Sequence, residues 1–340
     1  MTMMNEGYKV SEADGGLSAT LAELLQGAAR HTRYLVKSET GTAAYEFGKA
    51  EGPAIVLVHG WSQSHLSWHN QLLNERLAST CRLIALDLRG HGNSPDNAEP
   101  AIVPRMHATD IRAVLEQLDV ANATLVGWSF GGLAIMDYVD TFGLDRVRNL
   151  VFLSSAAGEH PESRNVSIGP ALDDAISPMT GLNQTTGTVH PVAIGSNVSA
   201  TIAFTKACTS DELPAGDLLA LSTAAAATPP AVRLATLNRY GPGGGAPDYT
   251  KTLLPKLKAS CDVLIICGSE DRVVRPEASQ RIAELTGGRL LTYAGTGHAP
   301  MMEQVDRFYC DLLGLRLVQS QKARAVARAT PERKLAASLS

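Results

Sequence analysis

The sequence predicts an α/β fold in which a mostly parallel sheet is flanked by helices and interrupted by a helical insertion. Short apolar runs alternate with amphipathic stretches up to about residue 155, the alternation stops over 157–247, and it resumes afterwards. Parallel strands joined by crossover helices produce this alternation. We therefore divide the chain into a first core part (30–156), an insertion (157–247), a second core part (248–315) and a basic tail (316–340).

The strands are predicted from two patterns. Thr42–Phe47 alternates in polarity, as a half-buried strand does. Continuous apolar runs of β-forming residues are typical of strands that are buried on both faces of a sheet. Such runs cover Ala54–Val58, Arg82–Leu86, Ala123–Val126, Leu150–Leu153, Val263–Cys267 and Leu290–Tyr293.

Helices are predicted between these strands and within the insertion. In the core they cover Leu66–Ala78, Pro104–Leu118, Gly131–Thr141, Glu277–Leu285 and Pro300–Leu315. In the insertion they cover Ser199–Cys208, Leu218–Ala226 and Ala231–Arg239, with no strong strand among them. The Gly- and Pro-rich run 241–247 then predicts a flexible connection back to the core.

Composition excludes several function classes. The chain has 340 residues, 44% of them hydrophobic, which is enough to fill a sizeable core. A net charge of −4 gives no general attraction to nucleic acid or to anionic membranes. The sequence shows neither the apolar segment of a signal peptide nor an apolar run of about 18 residues. We expect a soluble cytoplasmic protein that binds neither nucleic acid nor membrane; its oligomeric state stays open.

The cysteines and two histidines give no support for a metal or redox site. The five cysteines contain no C-x-x-C pair, so we interpret them as buried free thiols in a reducing compartment. His65 and His69 are four positions apart on a predicted helix, but the glutamate of H-E-x-x-H is missing. We interpret them as solvated helix histidines, and we expect no metal and no cofactor.

Ser129 is the candidate nucleophile. It lies in the run Gly-Trp-Ser-Phe-Gly-Gly over 127–132, directly after a predicted strand and before a predicted helix. Gly-x-Ser-x-Gly at such a junction is the sequence pattern of a nucleophile elbow. Glycines are needed on both sides because the turn strains the serine and brings neighbouring backbones close together. This geometry exposes the hydroxyl and points a helix N-terminus at a developing anion.

The loop His59-Gly60-Trp61 follows the strand Ala54–Val58 and is the candidate oxyanion corner. An oxyanion hole needs two N–H donors that converge on one oxygen. In this arrangement the donors come from Phe130, the residue after the serine, and from Trp61 in the earlier loop. One such donor is worth about 3 kcal/mol of transition-state stabilisation. The His59 side chain itself is interpreted as a structural brace of the loop.

His298 and Asp271 are the candidate base and acid. Asp271 follows the strand Val263–Cys267, and His298 follows Leu290–Tyr293. Both therefore lie at the carboxyl ends of strands, the edge where open α/β sheets place ligands. His298 can take the serine proton while Asp271 fixes the imidazole tautomer and stabilises the imidazolium.

Two other carboxylates compete with Asp271 for the role of the acid. Glu270 is one residue closer to the strand, so its side chain is expected to point elsewhere. Glu159 follows the strand Leu150–Leu153, in a loop from which some triads take their acid. We favour Asp271 over both.

These residues together resemble the α/β-hydrolase fold superfamily over nearly the whole chain. The matching parts are the His59 loop, the turn Asp87–Ser94, the elbow at Ser129, Asp271 in Gly-x-x-Asp and His298 in Gly-His. The resemblance implies that the turn is structural. The 142 positions from Ser129 to Asp271 imply a cap domain over the site. The chain looks most like small esterases, non-haem haloperoxidases and C–C hydrolases, whereas haloalkane dehalogenases and most epoxide hydrolases carry aspartate at the serine position.

The sequence thus predicts a cofactor-independent serine hydrolase that forms an acyl-enzyme. The apolar composition of the cap suggests an ester or lactone of a moderately apolar small molecule as substrate. Trp128 and Met301 are candidates for lining the pocket. Two alternatives stay open at this point. One is a C–C bond hydrolase with the same triad, for which Arg164, Asn183 and Gln184 are candidate grips on a dicarbonyl substrate, and the other is a ligand receptor without turnover.

Overall fold

The computed structural model describes residues 34–37, 41–94, 105–157, 167–240, 247–258 and 260–315. Glu159, Arg164, the connection over 241–246 and the tail 316–340 lie outside these residues, so the predictions made for them are not addressed by the structure.

The described strands form one eight-stranded sheet in the order β1-β2-β4-β3-β5-β6-β7-β8. β1 pairs antiparallel with β2, β2 pairs antiparallel with β4, and the remaining pairs are parallel. This confirms the predicted α/β class. The strands are β1 (Tyr34–Lys37), β2 (Ala43–Gly48), β3 (Ala54–Val58), β4 (Arg82–Leu86), β5 (Ala123–Trp128), β6 (Val147–Leu153), β7 (Asp262–Gly268) and β8 (Arg289–Tyr293).

Every predicted strand is present, and β1 is additional. Four residues are too short a run to show a periodic signal, which explains why β1 was missed. β5 extends to Trp128, so the serine follows the strand with no intervening residue. Several parallel strands therefore end at one edge of the sheet, where β3, β5, β7 and β8 deliver the loops of the candidate site.

Helices cover both faces of the sheet and form the insertion. The core helices are α1 (His69–Leu72), α2 (Glu75–Ala78), α3 (Met106–Gln117) and α4 (Phe130–Phe142). The insertion contributes α5 (Pro170–Thr180), α6 (Ile194–Ala207), α7 (Ala215–Ala227) and α8 (Pro230–Tyr240). After the insertion the described residues form α9 (Tyr249–Thr252), α10 (Leu254–Leu257), α11 (Pro276–Thr286), α12 (Pro300–Glu303) and α13 (305–315).

Alternate residues of each central strand enter different cores. On one face Val56, Ile84 and Leu125 pack in a cluster that also holds residues of α3, α4, α5 and α6. On the other face Leu57 and Val126 belong to a cluster with the short helices after β3 and with α13. Because side chains alternate across a strand, continuous apolar runs are what a sheet covered on both faces requires.

Two predicted helices are each broken. The prediction Leu66–Ala78 becomes a 3-10 turn (His65–Trp68) followed by α1 and α2, because the Asn74 side chain accepts a bond from Leu77 N and starts a new helix. The prediction Pro300–Leu315 is interrupted at Gln304, whose φ of −128° and ψ of 61° are not helical.

Helix α5 was missed in the insertion. It has proline at its first position and Gly181 in the left-handed conformation just after its end. That proline-to-glycine spacing is a helix signal. The internal Pro178 hides it, since proline in a helix interior normally predicts a break.

The cysteine prediction holds in part. Cys81, Cys208 and Cys267 are buried free thiols, whereas Cys261 is half-buried and Cys310 is exposed on α13. Among the described residues no single helix has the length and apolar composition of a membrane span. Helix α7 and part of α8 have that length and composition only when taken together, and the pair is bent by 83°.

Candidate active site

Ser129 sits in a strained turn between β5 and α4. Its φ of 53° and ψ of −116° lie outside the regions that non-glycine residues normally occupy. The turn is held by neighbouring backbone groups: Ser129 N donates to Leu153 O at 2.8 Å, and Gly132 N donates to Ser129 O at 3.0 Å. Strain that the surroundings maintain in this way is typical of a functional position.

The elbow glycines are required by close backbone contacts. A β-carbon at Gly127 would lie 2.6 Å from Gly131 C, inside van der Waals contact. A β-carbon at Gly131 would collide with Val58 O and lie 2.8 Å from His59 O. The glycines thus let α4 start directly against β3 and its loop, which places Phe130, the first residue of α4, beside that loop.

The loop over 59–61, which is the candidate oxyanion loop, lies against the elbow. A β-carbon at Gly60 would be 3.4 Å from Ser129 Cβ and 3.2 Å from Trp128 Cε3. The His59 ring binds Gly60 O through Nδ1 at 2.8 Å and accepts from Leu88 N through Nε2 at 2.9 Å. Burial, helped by the neighbouring His91, lowers the pKa of His59 to about 3, so the ring is neutral. These bonds confirm that His59 braces the loop.

The turn Asp87–Ser94 supports the oxyanion loop from behind. The Asp87 carboxylate accepts from His65 N at 2.7 Å and from Asn93 N at 2.9 Å, and a β-carbon at Gly92 would collide with it. Ser94 Oγ donates to Asp87 O at 2.6 Å and accepts from Ala43 N. The turn is therefore structural, as the resemblance implied.

Asp271 and His298 are brought together at the carboxyl ends of β7 and β8. His298 Nδ1 and Asp271 Oδ2 are 2.8 Å apart, and the two side chains are 2% and 0% exposed. Asp271 Oδ1 accepts from the N–H groups of Val273 and Val274, each at 2.9 Å. These bonds hold the carboxylate so that its second oxygen faces the imidazole.

Glu270 is not oriented toward the imidazole in this way. It is exposed, and its backbone N–H donates to Thr296 O at 2.9 Å. The one-residue offset from Asp271 directs its side chain to solvent, which supports the choice of Asp271.

The His298 main chain is held by the side chain of Trp128, the residue that precedes Ser129. Trp128 Nε1 donates to His298 O at 2.8 Å, and the two ring centroids are 5.6 Å apart. On the cap side, Cys208 O accepts from His298 N at 2.7 Å and from Ala299 N at 3.1 Å. His298, the candidate base, is thus fixed between the elbow strand and the end of α6.

Comparison with known proteins identifies the family. The sequence profile of the alpha/beta hydrolase family matches residues 55–311. The chain belongs to this family. A bifunctional esterase/perhydrolase from Acinetobacter calcoaceticus is 28% identical over 284 residues, which are 79% of this chain and 93% of that protein.

Solved structures agree with this assignment. A candidate aryl esterase from Burkholderia cenocepacia superposes with a TM-score of 0.70 at 28% identity, covering 85% of this chain and 100% of that one. An esterase from Rhodococcus sp. gives 0.68 at 28% identity, covering 84% and 98%. The protein is therefore a hydrolase, and esterases recur among its relatives.

The two pocket candidates of the hydrolase lie in its core. Trp128 is 2% exposed and packs edge-on against Trp68, with ring centroids 6.5 Å apart. Met301 is 0% exposed in the same cluster, and its carbonyl accepts from Gln71 Nε2 at 2.8 Å. Trp128 therefore supports His298 through its indole N–H. A pocket-lining role for Trp128 or Met301 stays a prediction.

The interpretation of His65 and His69 as solvated was wrong. His65 Nδ1 lies 2.9 Å from the buried Asp87 carboxylate, and His69 Nε2 lies 2.7 Å from Asp217 on α7. Each ring therefore has a carboxylate partner of its own. No group of three metal-ligating side chains occurs in the described part of the hydrolase.

Sequence reasoning missed several residues around the site. Ser155 Oγ donates to Ser129 O at 2.7 Å and so fixes the elbow from the loop after β6. Glu303 accepts from Gly297 N and from Ser210 N, each at 2.8 Å, and joins the His298 loop to the turn after α6. Burial raises the pKa of Glu303, and the backbone donors oppose that rise. These contacts join distant segments, so no local motif marks them.

Proposed function

We propose that this hydrolase is a serine esterase that forms an acyl-enzyme on Ser129. The observation that carries the proposal is the buried contact between His298 Nδ1 and Asp271 Oδ2 at 2.8 Å. With its Nδ1 proton donated to Asp271, His298 keeps an Nε2 lone pair that can accept the serine proton. The strained elbow and the contact of Trp128 with His298 O support the placement of Ser129 beside this base.

The proposed reaction has two halves. Ser129 Oγ bonds to the ester carbonyl carbon while His298 Nε2 takes its proton, and the carbonyl π electrons move to the oxygen. The Trp61 and Phe130 N–H groups stabilise that oxyanion. On collapse the C–O bond to the alcohol breaks, and His298 returns the proton to the leaving oxygen. Water then attacks the acyl-enzyme with the same base, releasing the acid and Ser129.

The substrate we propose is an ester, open or cyclic, of a moderately apolar small molecule. Apolar side chains of the cap pack at the candidate oxyanion loop: the rings of Phe204 on α6 and Trp61 meet edge-on with centroids 5.7 Å apart, and Met179 of α5 is buried in the same hydrophobic cluster. Apolar surroundings of this kind favour apolar groups next to the scissile ester.

Among the residues that the structure describes, no observation favours the C–C bond hydrolase. Asn183 and Gln184 are exposed, and both bond to the backbone of their own segment: Asn183 Oδ1 accepts from Thr185 N at 3.0 Å, and Gln184 Nε2 donates to Asp173 O at 2.9 Å. We therefore assign neither side chain a role in binding the substrate of the proposed esterase.

The test is labelling with a fluorophosphonate probe, followed by peptide mass analysis and by turnover of p-nitrophenyl esters and of simple lactones. We expect an adduct on Ser129, rapid ester hydrolysis, and the loss of both in Ser129→Ala. The matched control is Ser79→Ala, which removes an exposed serine after α2 and is expected to behave like the wild type. Folded wild-type protein without an adduct on Ser129 would refute the proposal.

A further inference from the structure

Arg233 on α8 is an arginine in an unusual environment. Its side chain is 0% exposed, and its guanidinium has no carboxylate partner in the part of the chain that the structure describes. Burial lowers its pKa to about 10, so it remains charged at neutral pH. A buried cation that is balanced only by neutral groups is costly, and an apolar residue would fill the same space at a lower cost. The geometry of its contacts indicates what the charge does.

The guanidinium joins the other cap helices to one another. Nη1 donates to Met179 O at the end of α5 at 3.1 Å and to Asn197 Oδ1 on α6 at 3.0 Å, and Nη2 donates to Ala225 O on α7. A planar fork with several N–H donors can make these bonds at the same time, whereas a lysine ammonium cannot reproduce their directions.

The remaining guanidinium nitrogen, Nε, reaches the candidate oxyanion loop. Arg233 Nε donates to Ser62 Oγ at 2.8 Å, and Ser62 is a non-glycine residue with a φ of 58°. The main chain of Arg233 also takes part, because its carbonyl accepts from Trp61 Nε1 at 3.1 Å. Arg233 therefore holds both residues that follow Gly60.

Neighbouring contacts reinforce the same attachment. Ser62 Oγ also lies 3.3 Å from Ala225 O as a donor, and Gln63 Nε2 donates to Leu221 O on α7 at 3.4 Å. The core side of the loop is held by His59 and by the contact of Gly60 with the elbow. The loop is thus held by the core on one side and by the cap on the other, and Arg233 contacts it from the cap through both its side chain and its main chain.

We propose that Arg233 is a positioning residue for the oxyanion hole. It fixes the Trp61–Ser62 segment against the cap, and this directs the backbone N–H of Trp61 toward the developing oxyanion. The cap then does more than shape the substrate cavity, since its packing completes the catalytic loop. This inference rests on the proposed function, because Arg233 acts through the Trp61 donor.

The test compares Arg233→Lys and Arg233→Met with Arg82→Lys. Arg82 is a half-buried arginine paired with Glu46 at 2.7 Å, at the opposite edge of the sheet from the site. We expect both Arg233 variants to lower kcat for p-nitrophenyl esters by about tenfold or more, with KM within about threefold, because a displaced donor weakens transition-state binding. Phosphonylation of Ser129 should slow in parallel. Arg82→Lys is expected to keep both rates.

A purely structural role predicts a different result. Folded Arg233→Lys with a lowered melting temperature but with kcat and labelling rate within twofold of the wild type would overturn the inference. If the Arg233 variants fail to fold, Ser62→Ala replaces them, since it removes the receiving hydroxyl with a smaller change. It should lower kcat by about threefold or more, and an unchanged kcat would equally overturn the inference.

The two proposals fail in distinguishable ways. If wild-type Ser129 is not labelled and no ester is turned over, the proposed function is refuted and the role of Arg233 with it. If wild-type protein is labelled and active while the folded Arg233 and Ser62 variants match it, the esterase stands and only the role of Arg233 is refuted.

Discussion

At the scale of single residues, Asp271 has two tasks that use different oxygens. Oδ1 accepts from the backbone of Val273 and Val274, while Oδ2 binds His298 Nδ1 at 2.8 Å. The first task shapes the loop after β7, and the second fixes the imidazole tautomer. A substitution that separates them tests the catalytic task alone.

Asp271→Asn is such a substitution. An asparagine Oδ1 can still accept from the two backbone N–H groups, but its Nδ2 would donate to His298 Nδ1 and force the proton onto Nε2. We expect kcat to fall by roughly 10⁴-fold while the melting temperature stays close to the wild-type value, as for the wrong tautomer in other triads. Ester turnover and thermal unfolding measure the two effects.

Glu270→Gln is the matched control for that experiment. Glu270 is exposed and one position away, so its loss should leave turnover within about twofold. A larger loss in Glu270→Gln than in Asp271→Asn would show that the acid has been misassigned.

At the scale of elements, the strand-to-helix junction depends on the contact between α4 and the end of β3. Gly131 faces the carbonyl groups of Val58 and His59, which belong to backbone and cannot rotate away. The same contact brings the start of α4 to the oxyanion loop. Packing of backbone on backbone therefore serves both stability and the site.

Gly131→Ala is expected to disrupt this junction. The added methyl group must push α4 away from β3, which should lower the free energy of unfolding by about 3 kcal/mol and ester turnover along with it. Urea unfolding and p-nitrophenyl ester hydrolysis are the measurements.

Gly216→Ala serves as the comparison, because a β-carbon there meets nothing within 4 Å near the start of α7. It should keep activity and leave stability unchanged or raise it by up to about 1 kcal/mol. Equal effects of the two substitutions would contradict the role given to the Gly131 contact.

For the molecule as a whole, polar side chains around the site join the core to the helical insertion. His69 binds Asp217 at 2.7 Å, Glu303 accepts from Ser210 N at 2.8 Å, and Arg233 binds Ser62 at 2.8 Å. Behind the oxyanion loop, His59 and His91 are buried as neutral rings with centroids 4.9 Å apart. This polar interior makes the stability of the molecule sensitive to acid.

Stability should fall as the pH drops from 7 to 5. Burial lowers the pKa of His59 to about 3 and that of His91 to about 4, against an ordinary value near 6.5. In that pH range the unfolded chain binds protons that the folded chain does not, so the free energy of unfolding decreases. Each ring should contribute roughly 2 kcal/mol of loss at pH 5. Urea unfolding at both pH values measures it.

His91→Asn isolates one of the two rings. The amide nitrogen can replace Nδ1 as the donor to Arg89 O, which lies 3.0 Å from the ring, and it does not titrate. The difference in stability between pH 7 and pH 5 should shrink by roughly 2 kcal/mol relative to the wild type. An unchanged difference would show that His91 is not the source of the acid sensitivity.

The strands β2 to β8, the elbow and the candidate triad could be predicted from the sequence because each leaves a local signal. A strand buried on both faces needs a continuous apolar run, and a strained serine turn needs glycines at fixed offsets. Ala54–Val58 and Ser129 could therefore be recognised from the sequence. The sequence signals for helices were weaker where a residue favoured a break, as Pro178 does inside α5 and as the Asn74 cap does between α1 and α2.

Local sequence patterns were enough to assign the α/β class, the nucleophile candidate and the order in which the candidate acid and base follow it. Three contacts became apparent from the folded chain: Asp271 rather than Glu270 meets His298, Trp128 supports His298, and Arg233 holds the loop of Trp61. These contacts depend on burial and on bonds between segments far apart in the chain. Arg233 and Ser62 are 171 positions apart, and no local periodicity records such a contact.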